Sequence, residues 1–154
     1  MAYGNDTWQR AINHASYRPC MPAEQYVMAL VMVDAKALLL RRSHFSDQSG
    51  KWDLPGGKLM GRESPLQAMR RVTREILGVE PASITLRTSF FGDKKVFNQV
   101  YDVVLGNMGP PPGFGLKIGK PYTQVQFFSV DELLRTDDIL HRDKIIEAVK
   151  ARLQ

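Results

Sequence analysis

The chain has one cysteine, Cys20, in 154 residues. This excludes an intramolecular disulfide and a cysteine-built metal cluster, and it fits a reducing compartment. Long apolar runs are also missing: none approaches the roughly 18 residues that cross a bilayer. The opening stretch, Met1 to Arg10, is polar and lacks the apolar centre of a secretory signal. A soluble, cytoplasmic chain with no membrane partner is therefore expected. Acidic residues are the scarcer charge, 16 against 21 basic ones, for a formal net charge of +5. That excess suits anionic partners such as nucleotides, RNA or sugar phosphates, and it equally suits an ordinary basic soluble protein. There is no internal repeat and no sign of a second domain, and the length is enough for one buried core.

Residues 1–24 read as an N-terminal arm and residues 25–154 as the domain. In the arm, Asp6 or Thr7 caps a short helix with Trp8, Ala11, Ile12 and Ala15 on one face. Pro19 and Pro22 stop it. Packing or a homodimer contact is its expected role. The apolar run Tyr26 to Val33 predicts a strand. A turn at Asp34-Ala35-Lys36 returns it through Ala37 to Arg41 as a hairpin. Residues 43–51 form a polar loop, and Lys51 to Leu54 a short strand. Pro55-Gly56-Gly57 reads as a glycine loop. Ser64 is a suitable N-cap, Pro65 a suitable first helical residue, and Gly78 a stop, which predicts a helix from Pro65 to Leu77.

Further strands are predicted from Ile84 to Phe91 and from Val96 to Leu105, joined by a turn at residues 92–95. Alternation in the second puts Asn98, Val100 and Asp102 on one face, and Phe97, Gln99, Tyr101 and Val103 on the other. Residues 106–122 form a long glycine- and proline-rich loop. A strand from Gln124 to Phe128 follows, then a Ser129-capped helix from Asp131 to Arg135. The last helix, Arg142 to Leu153, turns Ile145, Ile146, Val149 and Leu153 inward. The order of elements predicts a mixed α/β layered domain.

A loop that frees backbone groups, followed by a helix bearing the carboxylate of Glu75, suits a phosphate held through a metal ion. Glycine, five residues, glutamate, seven residues, arginine, and then a glycine seven positions on: Gly57, Glu63, Arg71 and Gly78 fall in the register of the Nudix box, which this stretch resembles. The flanks Trp52-x-Leu54-Pro55-Gly56 and Phe127-Phe128-Ser129-Val130-Asp131-Glu132-Leu133 resemble that family too. The likeness runs from about Tyr26 onward. It implies a Nudix-type α/β/α sandwich with a mixed β-sheet, and hydrolysis of a nucleoside diphosphate linked to another moiety, with Mg2+ or Mn2+ as cofactor. It also implies Glu75 and the Gly56 carbonyl as metal ligands, and a Glu63–Arg71 salt bridge that ties loop to helix. Glu75, Glu63 and Arg71 are the catalytic candidates. Gly56, Gly57, Arg41 and Asp102 are the substrate-binding candidates, with Arg42, Lys117 and Lys120 as further phosphate contacts.

The chain departs from the family pattern at two positions. Where further metal carboxylates are expected, it has Val72 and Ile76, four apart on one helical face. From Gly57 to Val79 there are five cations (Lys58, Arg62, Arg70, Arg71 and Arg74) against two anions (Glu63 and Glu75), a net +3. No general base stands out: the loop of residues 106–122 has no Asp, Glu or His, and His44 is a lone loop histidine. Two readings follow. One is a hydrolase with a reduced metal site, including the variant that cleaves nucleotide sugars at carbon. The other is a module that binds a nucleotide or RNA without turnover. The burial of Val72 and Ile76 separates simple loss of carboxylates from a rebuilt site. Glu75 is either a metal ligand or the surface partner of Arg71, and Asp102 either faces the pocket or pairs elsewhere.

Overall fold

The computed structural model describes residues 24–43, 49–106, 118–120 and 122–154. Apart from Glu24, the expected arm lies outside these residues. So do His44 and most of the 106–122 loop, Lys117 included. In chain order the strands are β1 (Glu24–Leu30), β2 (Met32–Val33), β3 (Lys36–Arg42), β4 (Trp52–Asp53), β5 (Gly56–Lys58), β6 (Pro81–Phe91), β7 (Val96–Leu105) and β8 (Tyr122–Phe128). The helices are α1 (Pro65–Val72), α2 (Val130–Arg135) and α3 (Arg142–Leu153).

Strand β1 is apolar from Val27 onward because both of its faces are covered. Val27, Ala29 and Val31 join a core with Leu38 and Leu40 of β3, Tyr101 and Val103 of β7, and Met69 and Val72 of α1. Met28 and Leu30 join a second core with Ala37 and Leu39 of β3, Val100 of β7, Leu133 of α2 and Ile145 of α3. The period-2 alternation of three strands thus feeds two cores, one under each helical layer. This is the α/β/α sandwich expected of the chain. One sheet runs β5-β1-β7-β6, mixed, with β1 parallel to β7 and antiparallel to β5. In the other, β3 pairs with β2, β4 and β8. Among the described residues no helix is long and apolar enough to cross a membrane.

Several elements differ from expectation, each for a local reason. The strand predicted from Tyr26 to Val33 is divided at Val31, and β2 passes to the other sheet. Its hairpin turn holds Asp34 and Ala35 at positive φ, 52° and 63°, the twist that two-residue hairpins favour. The glycine loop is a strand. Gly56 pairs with Met28 and Gly57 with Val27. A Cβ on Gly56 would stand 2.6 Å from the Val27 carbonyl oxygen and 2.8 Å from the Tyr26 ring. These glycines therefore serve close approach rather than a turn.

Helix α1 starts at the predicted cap, Ser64, which also forms a capping box with Gln67. The helix then widens into a π turn, Thr73–Leu77, before Gly78 closes it at φ 73°. Strand β6 begins at Pro81, three residues earlier than predicted, which an edge strand tolerates. Strand β8 begins at Tyr122, and α3 has the predicted bounds, but Leu153 in its last turn is 48 % exposed.

Candidate active site

Arg71 organises one corner of the domain. Its Nε donates to Glu63 Oε2 at 3.0 Å and its Nη2 to Glu63 Oε1 at 2.6 Å. Nη2 also donates to the Lys58 carbonyl at 2.9 Å, and Nη1 to Glu75 Oε2 at 3.3 Å. One guanidinium thus joins β5, the loop before α1, and the helix turn that carries Glu75. A planar fork is suited to such a multidentate task. Glu63 is used up by this clamp, since it also accepts the Met60 amide at 2.9 Å. Glu75 is freer, with a side chain 60 % exposed. Arg70 and Arg74 turn away to Glu80, so the excess positive charge of the segment does not all face this corner.

Hydrogen bonds from Arg71, helped by the Met60 amide, hold the Glu63 carboxyl below its ordinary range. A carboxylate depressed on folding stabilises the protein above its unfolded pKa, and that stability disappears as pH falls through the folded pKa. Glu63→Gln should therefore melt below wild type at neutral pH. The difference should shrink as the pH is lowered past the ordinary glutamate range. Melting curves from pH 7 to about pH 3 check this, and a constant difference across that range would show that the Glu63 charge contributes nothing.

Val72 and Ile76 are covered. They are 2 % and 7 % exposed and belong to the core under α1. The Cγ2 of Val72 lies 3.0 Å from where a Gly57 Cβ would stand. The amide of Gly119 donates to the Ile76 carbonyl at 2.8 Å. The positions of the absent carboxylates have thus been rebuilt as packing.

Among the described residues, no three His, Cys, Asp or Glu side chains converge on a point where a metal ion could sit. The donor set does not fit the several-ion cluster of the family pattern. It offers one exposed carboxylate, Glu75, and a backbone carbonyl on β5. Ala29 donates to the Pro55 carbonyl and Leu59 to that of Gln25. The alternation of an antiparallel pair then turns the Gly56 carbonyl away from β1, toward the free edge.

The remaining candidates are scattered. Arg41 donates from Nε to the Gly50 carbonyl at 2.9 Å and from Nη1 to Gln124 at 3.3 Å, beside the Trp52 ring. It is engaged in holding strands and loop together. Asp102 shares its strand face with Val100, toward α3 and away from α1. There it pairs with Arg87, with Arg152 at 3.9 Å. The structure does not bring Asp102 to the Glu75 corner, because its register position on β7 points it to the other layer. Lys120 is exposed, close in sequence to Gly119.

A second polar centre was largely missed by sequence reasoning. Arg42 donates to Tyr26 Oη at 3.0 Å and to Asp53 Oδ2 at 3.2 Å, and lies over the Tyr122 ring. Asp53 is 2 % exposed and also accepts the Leu54 amide at 2.8 Å. Burial raises the Asp53 carboxyl, against the pull of Arg42 and His141, and it raises the Tyr26 and Tyr122 phenols as well. Burial opposes the Arg42 charge, yet Tyr26, Tyr122 and Asp53 keep it above its ordinary value. Its buried Nε has no hydrogen-bond partner among the described residues. Strand alternation turns Asp53 inward beside the half-buried Trp52.

Next to β4 lies a cleft of roughly 560 Å³, lined by Phe90, Gly92, Asp93, Ile139, His141 and Lys144 among others. The rings of Phe90 and His141 meet edge to face at 5.3 Å. Trp52 pins the cleft's rim by accepting from the Leu140 amide and donating to the Asp138 carbonyl.

Known proteins resemble both the sequence and the fold. The CTP pyrophosphohydrolase of Escherichia coli (strain K12) is 45 % identical over 56 residues, 36 % of this chain and 42 % of that protein. The match therefore spans less than half the length of that relative. A MutT protein from Methanosarcina mazei Go1 superposes with a TM-score of 0.67 at 27 % identity, covering 86 % of this chain and 96 % of that one. The NUDIX domain of Shewanella oneidensis NrtR, solved with ADP ribose, superposes with a TM-score of 0.67 at 20 % identity, covering 96 % and 98 %. The family model described as the NUDIX domain matches residues 23–149, and with the box residues Gly57, Glu63, Arg71 and Gly78 in place the chain belongs to the Nudix family.

Proposed function

We propose that the protein hydrolyses a phosphoanhydride bond in a nucleoside diphosphate linked to another moiety, with Glu75 as its one metal carboxylate. The observation that carries this reading is the intact Arg71 fork, which leaves Glu75 exposed beside the Lys58 carbonyl while it occupies Glu63. A divalent ion, Mg2+ or Mn2+, offsets phosphate charge and lowers the pKa of a bound water when it is present. Magnesium commonly uses one or two carboxylates together with substrate phosphates, which is the number available here. Glu75 and the outward Gly56 carbonyl are the protein's donors. Glu63 and Arg71 hold them in place, and Gly57 lets β5 approach the helix.

Relatives named for CTP and crystallised with ADP ribose lead us to a nucleotide as the substrate class. A cytoplasmic setting is part of the reading, and rests on the single cysteine. A homodimer through the arm is carried forward from sequence alone.

The burial of Val72 and Ile76 favours a second reading, a module that binds a nucleotide or RNA without turnover. Nucleoside triphosphates, dinucleotides, nucleotide sugars and capped RNA, incubated with Mg2+ or Mn2+, distinguish the two. Metal-dependent release of a nucleoside monophosphate from at least one of them is expected. Tight, metal-independent binding with no product from any of them would support the module and overturn the hydrolase.

A further inference from the structure

The two aliphatic side chains that replace carboxylates each sit beneath a backbone segment. Val72 underlies Gly57. At the other position, Gly119 closes on the helix: a Cβ there would stand 2.4 Å from the Glu75 carbonyl oxygen and 3.6 Å from the Ile76 Cα. Its amide donates to the Ile76 carbonyl, and its own carbonyl accepts the Tyr122 amide at 3.1 Å. The neighbouring Ile118 packs on the core that contains Val72 and Ile76.

The last carbonyls of a helix have no partner within it. Here the π turn ends at Leu77, two residues past Glu75, so the Ile76 carbonyl is such an orphan and Gly119 satisfies it. Gly119 has no positive φ among the glycines that do. It is glycine because the approach is close.

We propose that Gly119 is a positioning residue for Glu75. By gripping the peptide on either side of the Glu75–Ile76 bond, it fixes the direction in which the Glu75 side chain leaves the π turn. Any bulk at position 119 pushes on the Glu75 carbonyl itself, so the carboxylate moves with it. The proposal rests on Glu75 being the working carboxylate of the proposed hydrolase.

The test compares Gly119→Ala with Gly106→Ala. Gly106 anchors the other end of the same loop, on the Glu80 carbonyl, away from the Glu75 turn. Side-chain 13C NMR of glutamate-labelled protein follows the Glu75 carboxyl directly, with Glu75→Gln identifying the signal. Gly119→Ala should shift that signal, while Gly106→Ala leaves it in place.

On whichever nucleotide is turned over, Gly119→Ala should lower kcat about 10- to 100-fold, the scale of a small misplacement of a reacting group, with KM little changed. If Gly119→Ala does not fold, Ile118→Val, a milder change at the same anchor, should still move the Glu75 signal, while Gly106→Ala does not. An unmoved Glu75 signal in a folded variant overturns the proposal, whatever the turnover. A wild-type protein with no turnover, but with a Glu75 signal that responds only to the 118–119 anchor, would retire the hydrolase reading and leave the positioning role standing.

Discussion

Val72→Glu and Ile76→Glu, the changes that would restore the family's carboxylates, should each destabilise the protein by about 3 kcal/mol or more. For a chain of this size that is a fall of roughly 6–12 °C in Tm. The cause is burial. Val72 is closed in between Gly57 and the core, and Ile76 lies among Leu77, Val103 and Tyr122 in the same cluster. A charge introduced there would be buried in the core under α1. Arg71, the cation that organises the corner, is already shared by Glu63, Glu75 and the Lys58 carbonyl.

Neither variant should gain a tightly bound ion. Thermal melts together with Mn2+ titration monitored by EPR check both points. A Val72→Glu protein that melts with wild type and binds an additional Mn2+ would show that the position opens onto the site. Our account would then be wrong about the rebuilt box.

Much of the fold was legible because local signals and global packing agree. Ser64 and Pro65 start α1 where the pattern places them, Ser129 starts α2, and Gly78 ends the helical segment in the left-handed conformation. The alternation along β7 was also legible. Its two faces are the two layers of the sandwich, with Tyr101 and Val103 under α1 and Val100 toward α3. Which of those layers held the site was not legible, and so Asp102 was placed with the substrate although it pairs with Arg87 on the far side. That information resides in the order of strands across the sheet, which no residue of β7 encodes by itself.

The glycine pair misled for a different reason. Gly56-Gly57 has the composition of a turn, but Gly56 is required by Val27 and Tyr26, far earlier in the chain, and Gly57 by Val72, well after it. The Arg42–Asp53–Tyr26 centre has the same character. Each of its residues was visible, but the contact spans β1, β3 and β4. The burial of Val72 and Ile76 was framed by the sequence as a question with two answers. The answer required knowing that Gly57 and Gly119 both approach this helical segment closely.

The corner that results keeps the family scaffold with one exposed carboxylate, Glu75. Glu63 is spent on Arg71, and Val72 and Ile76 are structural. The hydrolase reading therefore stands on Glu75. On that reading Glu75 would hold a divalent ion, whose charge would stabilise the phosphate and activate water, so its loss should remove a contribution of several kcal/mol. About 3 kcal/mol of that at the transition state is roughly a 100-fold effect. Folding should hardly change, because the Glu75–Arg71 pair is exposed and screened by solvent.

The most direct measurement is kcat/KM of Glu75→Gln against wild type, on the best substrate of the nucleotide panel and at saturating Mg2+, with melting curves recorded alongside. The account predicts a fall of about 100-fold with an unchanged Tm. Turnover equal to wild type in a normally folded Glu75→Gln protein would contradict it.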